Sequence, residues 1–509
     1  MTKECSQSSN IPVEQLDEQT CEQARLNRDA RYDGRVFIGV TSTGVYCRPI
    51  CPAPHAKRVH VRFFPSAAAA TQAGFRPCLR CRPEVAPGTP AWNGTSATVS
   101  RGLRLIAEGA LDEGNVEMLA TRLGMSARHL SRLFLRHLGA LPTTVAQTRR
   151  LHFAKQLISD SSLSMGQVAM ASGFRSIRRF NEVFHICYGR PPSELRRQGP
   201  DSRAPDEYVF HLAYRPPYDW NSLLTYLAIS LTPGVESITK GIYRRSITIR
   251  NHHGILEVRP MTGTHMLRVH IRFPQPECLL QIVTRVRAMF DLAADPEIIC
   301  QHLDRDRLLS PLLRRHPGLR VPGTWDSFEL IVHAILSQQF PLHEAGALAG
   351  QLAECFGEPV ASSDTQELFR TFPQTKTFAS ARLSCLPQSS ARIIRTAAQA
   401  LTVSGADTSL DQLLARLENI KDIEESTIQY IAMRALNDPD AFPVGHPVLQ
   451  PVISVGPLRE AVLRRSETWK PWRAYAAMYL LCAAGVGQES PNQIRTHYQV
   501  DSSASSRLG

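Results

Sequence analysis

The sequence has no run of about 20 apolar residues, so no helix crossing a membrane is expected. No apolar segment opens the chain. A reducing, cytoplasmic compartment is therefore expected, and disulfides are a poor reading of the cysteines. No whole-domain repeat is visible. Acidic residues are in deficit. Against 58 Lys and Arg stand 46 Asp and Glu, leaving a net charge of +12 and a pI of about 9.3. Such a balance suits a polyanionic partner. What is present in ordinary amount is apolar residue, at 43%, so buried cores are expected. At 509 residues the chain should hold three or four domains.

Most of the cysteines, Cys187, Cys278 and Cys482 among them, are scattered singly and read as small buried apolar residues. Four are not. Cys47 and Cys51 form one close pair, and Cys78 and Cys81 another. Each pair can supply two corners of a tetrahedron, so one zinc ion is expected on Cys47, Cys51, Cys78 and Cys81. On spacing alone a closed structural site leads, because most four-cysteine zinc sites are of that kind.

Composition divides the rest. Residues 1–17 are polar and unpatterned, and read as a disordered lead-in. Pro83, Pro87, Gly88 and Pro90 mark the stretch from Arg82 to Ala97 as a break, with the linker placed at 85–97. A second break falls at Gly199–Asp206, and residues 487–509 read as a polar tail. Between the breaks, residues 98–198 contain two similar helical hairpins. In the first, Ser126 is placed to cap a helix in which Leu130, Leu133, Phe134 and Leu138 form a core face. Arg128, Arg132 and Arg136 recur on another face. In the second, Ser176 caps a helix with Ile177, Phe180 and Phe184 expected inward and Arg178 and Arg179 outward. A solvated face is the ordinary reading of such arginines. Two such faces after two capped turns favour double-stranded DNA, with the arginines meeting guanine edges or phosphates. Strands are expected over Tyr243–Ile249 and Met266–Ile271, and mostly helix after about residue 280.

Three resemblances sharpen this picture. Asp33-Gly34-Arg35-Val36-Phe37, Thr41–Pro49 and Ala73–Cys78 resemble the N-terminal domain of the Ada methylation-response proteins. That resemblance implies that the zinc-bound thiolate of Cys47 takes a methyl group from a methyl phosphotriester in DNA. Gly173-Phe174 and the ending Tyr188-Gly189-Arg190-Pro191-Pro192-Ser193-Glu194-Leu195 resemble the DNA-binding domain of AraC-type regulators. Pro322–Asp326, Ile335–Gln339, Tyr430–Leu436 and Trp469–Tyr475 resemble the AlkA glycosylases for alkylated purines. The implied fold class is multidomain α+β. A small zinc-binding α/β domain (18–84) precedes an all-α tandem helix-turn-helix (98–198). An AlkA-like N-terminal α+β domain (207–320) and an all-α helix-hairpin-helix glycosylase-type domain (321–486) follow.

The last domain departs from its family. The family's Gly-Ile-Gly turn, where backbone N–H groups meet a DNA phosphate, is here Asp422, Ile423 and Glu424, and Ser426 takes the place of a tryptophan. Two carboxylates oppose a phosphate. The aspartate that stabilises the departing sugar cation is replaced by His446, and a base-holding aromatic by Leu481. Tyr226 and Tyr430 match family aromatics, though tyrosines at helical spacing are also ordinary core. The usual Pro-Cys-His-Arg site of an alkylguanine methyltransferase is missing. The expectation is a regulator of the alkylation response, with methylated DNA, promoter sites and RNA polymerase as partners and no membrane. Its glycosylase domain is expected to be inactive. A bifunctional regulator with an active 3-methyladenine glycosylase is one alternative. An AraC-type transcription factor with purely structural zinc is another.

Overall fold

Short strands build the first sheet. β1 (Phe37–Val40), β2 (Val45–Cys47), β3 (Val61–Phe64) and β4 (Arg76–Pro77) pair in the order β3-β1-β2-β4. The computed structural model describes residues 17–88, 97–196, 206–360, 369–402, 410–447, 449 and 462–483. Most of the lead-in, of the 85–97 linker and of the Gly199–Asp206 break, and all of the 487–509 tail, lie outside the described residues. Helix α1 (Glu18–Leu26) starts on Asp17, whose carboxylate accepts from Thr20 N. Helix α2 (Ala67–Gln72) starts on Ser66 in the same manner. Phe37, Tyr46, Phe64 and Phe75 form a small aromatic core. Gly39 is required there, since a Cβ would stand 2.6 Å from the Phe64 ring.

Contacts divide the chain into two compact units, residues 1–149 with 187–189, and residues 150–186 with 190–509. The first holds the sheet just described, then α3 (Ala97–Ala107), α4 (Ala110–Glu113), α5 (Val116–Arg122) and α6 (Ala127–Leu138). Ser126 caps α6 through His129 N. Leu130, Phe134 and Leu138 are buried, with Leu133 packed partly buried against them.

Helix α7 (Pro142–Asp160) leads into the second unit. There α8 (Met165–Ala171) has a reciprocal capping box between Ser164 and Gln167. Ser176 caps α9 (Ile177–Tyr188) through Arg179 N. Phe180 and Phe184 are buried as expected, but Ile177 is not: it is 46% exposed. It is the first residue of its helix, and its Cδ1 faces Gly166 of α8, where an added Cβ would stand 3.4 Å away.

The second sheet is antiparallel, in the order β5 (Glu207–Ala213), β9 (Met266–Arg272), β8 (His252–Pro260), β7 (Ile242–Ile249), β6 (Glu236–Thr239). The expected strands are β7 and β9. Helix α10 (Trp220–Ile229) lies between β5 and β6. A helical body follows: α11 (Leu279–Met289), α12 (Pro296–Leu303), α13 (Ser310–Arg315), α14 (Ser327–Ser337), α15 (Leu342–Phe356), α16 (Thr375–Ser380), α17 (Gln388–Thr402), α18 (Leu410–Leu417), α19 (Glu425–Ala435) and a final helix, Arg473–Ala483. The fold class is multidomain α+β, as expected.

Candidate functional site

Strand register assembles the thiols. β2 and β4 run parallel with Tyr46 opposite Pro77, so the residues that follow, Cys47 and Cys78, emerge side by side. Cys51 closes a turn by donating its N–H to Arg48 O at 3.1 Å, and Cys81 lies in the turn spanned by Arg82 N to Cys78 O. The four Sγ atoms all lie within 4.8 Å of one another. Zn–S bonds of about 2.3 Å put tetrahedral sulfurs about 3.8 Å apart, so the cluster fits one zinc ion. Hydrogen bonds among the thiols split their acidities. Those from Cys47 hold Cys51 at about 7 and Cys78 lower still, while Cys47 and Cys81 are pushed up. Thiolates gathered this closely call for a cation.

The four sulfurs are not equivalent. Cys51 and Cys81 are buried, while Cys47 and Cys78 are partly exposed. Backbone N–H groups bond three of them: Arg48 N to Cys81 at 3.3 Å, Arg80 N to Cys78 at 3.4 Å, and Ala53 N to Cys51. Among the described residues no backbone N–H reaches Cys47 Sγ. A zinc-held thiolate at that position would have its charge the least dispersed of the four.

Arg48 locks the site from behind. Its guanidinium binds Asp33 through two nitrogens, with Nε at 2.9 Å from Oδ1, and donates to Cys81 O at 3.2 Å. Both side chains are almost wholly buried, at 4% and 5% exposure. The Asp33 partner holds the guanidinium charged despite its burial. Arg48→Ala should lower stability by about 3–5 kcal/mol, because Asp33 is left buried and unpaired. Thermal unfolding of the zinc-loaded chain measures this. Replacing Asp33 with alanine as well should recover part of the loss; no recovery would show that the pair acts through the zinc turn instead.

The arginines of the two hairpins stand as expected on exposed faces: Arg128, Arg132 and Arg136 on α6, Arg178 and Arg179 on α9. Two of them have neighbours. Arg132 donates to His129 Nδ1 at 3.0 Å, and Arg179 pairs with Glu182 at 2.9 Å.

In the helical body the glycosylase positions form a closed stack. His446 is fully buried and lies parallel to Tyr430, ring centroids 4.3 Å apart. Burial pushes its imidazole down to about 3, so it is neutral at pH 7. Tyr430 OH lies 3.3 Å from Tyr226 OH and accepts from Arg434 Nη1 at 3.0 Å. Arg434 is itself fixed by Pro322 O and Gly323 O. Leu481 is fully buried. Asp440 accepts from Nε and Nη2 of Arg473, at 2.8 and 2.9 Å, in the turn before His446. Gly445, at φ +93°, turns the chain beside Ser426.

The hairpin carboxylates sit at the start of α19. Asp422 is exposed and pairs with Arg392 at 3.0 Å. Glu424 occupies the N-cap and accepts from Ser426 Oγ at 3.2 Å, and Glu425 is in the first turn. Anions already complement the helix terminus that would otherwise receive a phosphate.

One expectation about cysteines fails. Cys278 is buried, but Cys187 and Cys482 are only partly so, and Cys355 is exposed with its thiol hydrogen-bonded to Cys385, 30 positions away in sequence. Sequence spacing carried no sign of this, because a helix end and a later turn bring them together.

Comparison with known proteins matches three parts of the chain: the metal binding domain of Ada over residues 20–84, a helix-turn-helix domain over 119–198, and the AlkA N-terminal domain over 209–326. The chain is 35% identical over 480 residues to a probable bifunctional transcriptional activator/DNA repair enzyme AlkA of Mycobacterium tuberculosis, covering 91% of this chain and 96% of that protein. It is 27% identical to DNA-3-methyladenine glycosylase 2 of Escherichia coli, over 54% of this chain and 98% of that one. It is 38% identical to the bifunctional transcriptional activator/DNA repair enzyme Ada of Escherichia coli, over 35% of this chain and 48% of that one. A zinc-binding Ada domain, a helix-turn-helix and an AlkA-like domain in one chain, matched along nearly its whole length, place this protein in the family of Ada-type regulators fused to an AlkA-like glycosylase domain.

Proposed function

We propose that the chain senses alkylated DNA by transferring one methyl group from a methyl phosphotriester to Cys47, and that the methylated chain then activates transcription with RNA polymerase through its helix-turn-helix. The observation that carries this is the inequality of the four sulfurs: Cys47 is partly exposed and lacks the N–H bond the others receive. Zinc, when bound, keeps all four sulfurs as thiolates at neutral pH. The Cys47 sulfur lone pair attacks the methyl carbon. The carbon–oxygen bond breaks, and the oxygen leaves as the anion of an ordinary phosphodiester. The thioether is stable, so each chain reacts once.

The same step supplies the switch. Four thiolates outnumber a divalent cation by two charges, and a thioether at Cys47 leaves an excess of one. Repulsion from DNA phosphates falls accordingly. Methylated chain should bind its promoter more tightly than unmodified chain at low salt, and the difference should narrow as salt rises. Titrations of both forms at several salt concentrations test this. Equal affinities at low salt would remove the charge switch.

The AlkA-like body is proposed to have lost base excision. His446 supplies no negative field for a departing sugar cation, and it covers the Tyr430 face on which an extruded base would stack. Asp422 and Glu424 oppose the DNA backbone at the hairpin.

A further inference from the structure

The two hairpins can be compared residue by residue from their caps. Ser126 and Ser176 both accept the N–H three positions on. Behind them Ala127 corresponds to Ile177, Arg128 to Arg178, and Arg132 to Glu182. The correspondence exposes a difference in charge. Helix α6 presents Arg128, Arg132 and Arg136 with no carboxylate on that face. Helix α9 has Glu182 instead of an arginine, and Glu182 takes up Arg179 at 2.9 Å. Its outward face keeps Arg178 as a cation and adds two apolar groups: Ile186, 72% exposed, stands two turns on in the place of Arg136, and Ile177 stands in the first turn. Ala127 packs against the core of its hairpin. Ile177 is 46% exposed. Its Cδ1 would stand only 3.4 Å from a Cβ on Gly166, so one edge is backed by α8 and the rest is open.

An isoleucine in the first turn of the second helix of a helix-turn-helix stands where side chains meet base edges. The one apolar group on the floor of the major groove is the thymine C5 methyl. We infer that Ile177 is a specificity residue that reads a thymine methyl in the half-site bound by α9, so the two half-sites are recognised by different chemistry. Helix α6 relies on cations and guanine or phosphate, and α9 on apolar contact by Ile177 beside Arg178. The flanking Arg178 favours a DNA groove over an uncharged protein partner, since it remains a cation to hold a phosphate while the apolar side chain reaches inward, and Glu182 is kept from the phosphates by its pairing with Arg179. The inference rests on the reading of the helix-turn-helix as a DNA-binding element.

The test uses the full zinc-loaded chain. Selection from random duplexes gives the bound sequence. Each thymine in it is then replaced by deoxyuridine, which preserves the base pair and removes only the methyl. The chain should lose affinity at one thymine by about fourfold, the effect of one buried methyl group. Ile177→Ala should bind the unsubstituted duplex about fourfold more weakly and be indifferent to uracil at that position. Its melting temperature should be unchanged, because the side chain is largely outside the core. Tolerance of uracil at every position by the unaltered chain would overturn the inference, as would undiminished uracil sensitivity in Ile177→Ala. Normal DNA binding by Ile177→Ala with lost transcription would overturn it too, assigning the side chain to polymerase. If no sequence is selected, DNA reading by α9 falls with it. Methyl transfer to Cys47, measured on the same preparation, shows whether the sensor reading fails as well.

Discussion

Incubated with DNA carrying methyl phosphotriesters, the chain should gain one methyl group, on Cys47 and on no other cysteine. The effect is all or none. Cys47→Ser should transfer nothing, because an alcohol at that position is neither a thiolate nor a good zinc ligand. Loss of transfer alone would not identify the acceptor, since replacing any of the four cysteines damages the metal site. Peptide mapping by mass spectrometry does identify it. The informative rival is Cys78, which is also partly exposed. Exposure does not separate the two, but hydrogen bonding does: Cys78 accepts from Arg80 N, and Cys47 accepts from no backbone N–H among the described residues. A small alkylating agent offered in place of DNA should therefore also mark Cys47 first. Methyl on Cys51, Cys78 or Cys81 would refute the assignment. No methyl on any of the four would leave a transcription factor with structural zinc.

The zinc site was legible because its determinants are local. Two cysteine pairs and the turns between them set the ligand geometry almost without help from the rest of the chain. What spacing did not reveal was the ranking of the ligands, which depends on backbone N–H directions set by the parallel register of β2 and β4. The helical hairpins were legible for a similar reason. A capping serine and a 3.6-residue apolar period fixed the inward face. Ile177 misled because periodicity assigns a face, not how deeply a residue at the end of a helix is covered by its neighbours. The pairing of Cys355 with Cys385 and the capture of Asp440 by Arg473 join residues about 30 positions apart. No periodic or spacing rule links such positions; only the packing of the helical body does.

His446 shows how far a substitution can be read from sequence. Replacement of the family's aspartate implied a missing charge. The structure adds that the imidazole fills space, lying 4.3 Å from Tyr430 in a parallel stack closed by Tyr226 and Arg434. A missing carboxylate alone could be restored by one substitution. On the proposed reading, a carboxylate replaced by a plug, beside hairpin acids that oppose the DNA backbone, could not.

The chain should accordingly release no 3-methyladenine from alkylated DNA above background. On the proposed reading three obstacles act in series. The cation stabiliser is absent, and a preorganised electrostatic group of that kind is typically worth about 10²–10³ in rate. The stacking face of Tyr430 is covered by His446. The start of α19 carries Asp422, Glu424 and Glu425, which repel the phosphate that would seat there. His446→Asp removes the plug and supplies a carboxyl group. It places that group at a fully buried position, where desolvation raises its pKa and weakens its charge. DNA docking stays impaired, so release should remain within about tenfold of background. Asp422→Gly and Glu424→Gly added to His446→Asp free the backbone N–H groups at the hairpin, and release should then rise by about 10² over the single variant. Ser426→Trp is better left out, since Ser426 is nearly buried against Gly445 and an indole there would overpack the turn. The measurement is liberation of methylated bases by the full chain, with the unaltered, single and triple forms side by side. Robust turnover by the unaltered chain would make it a bifunctional regulator and repair enzyme. A large gain from His446→Asp alone would show that the hairpin acids do not keep DNA away.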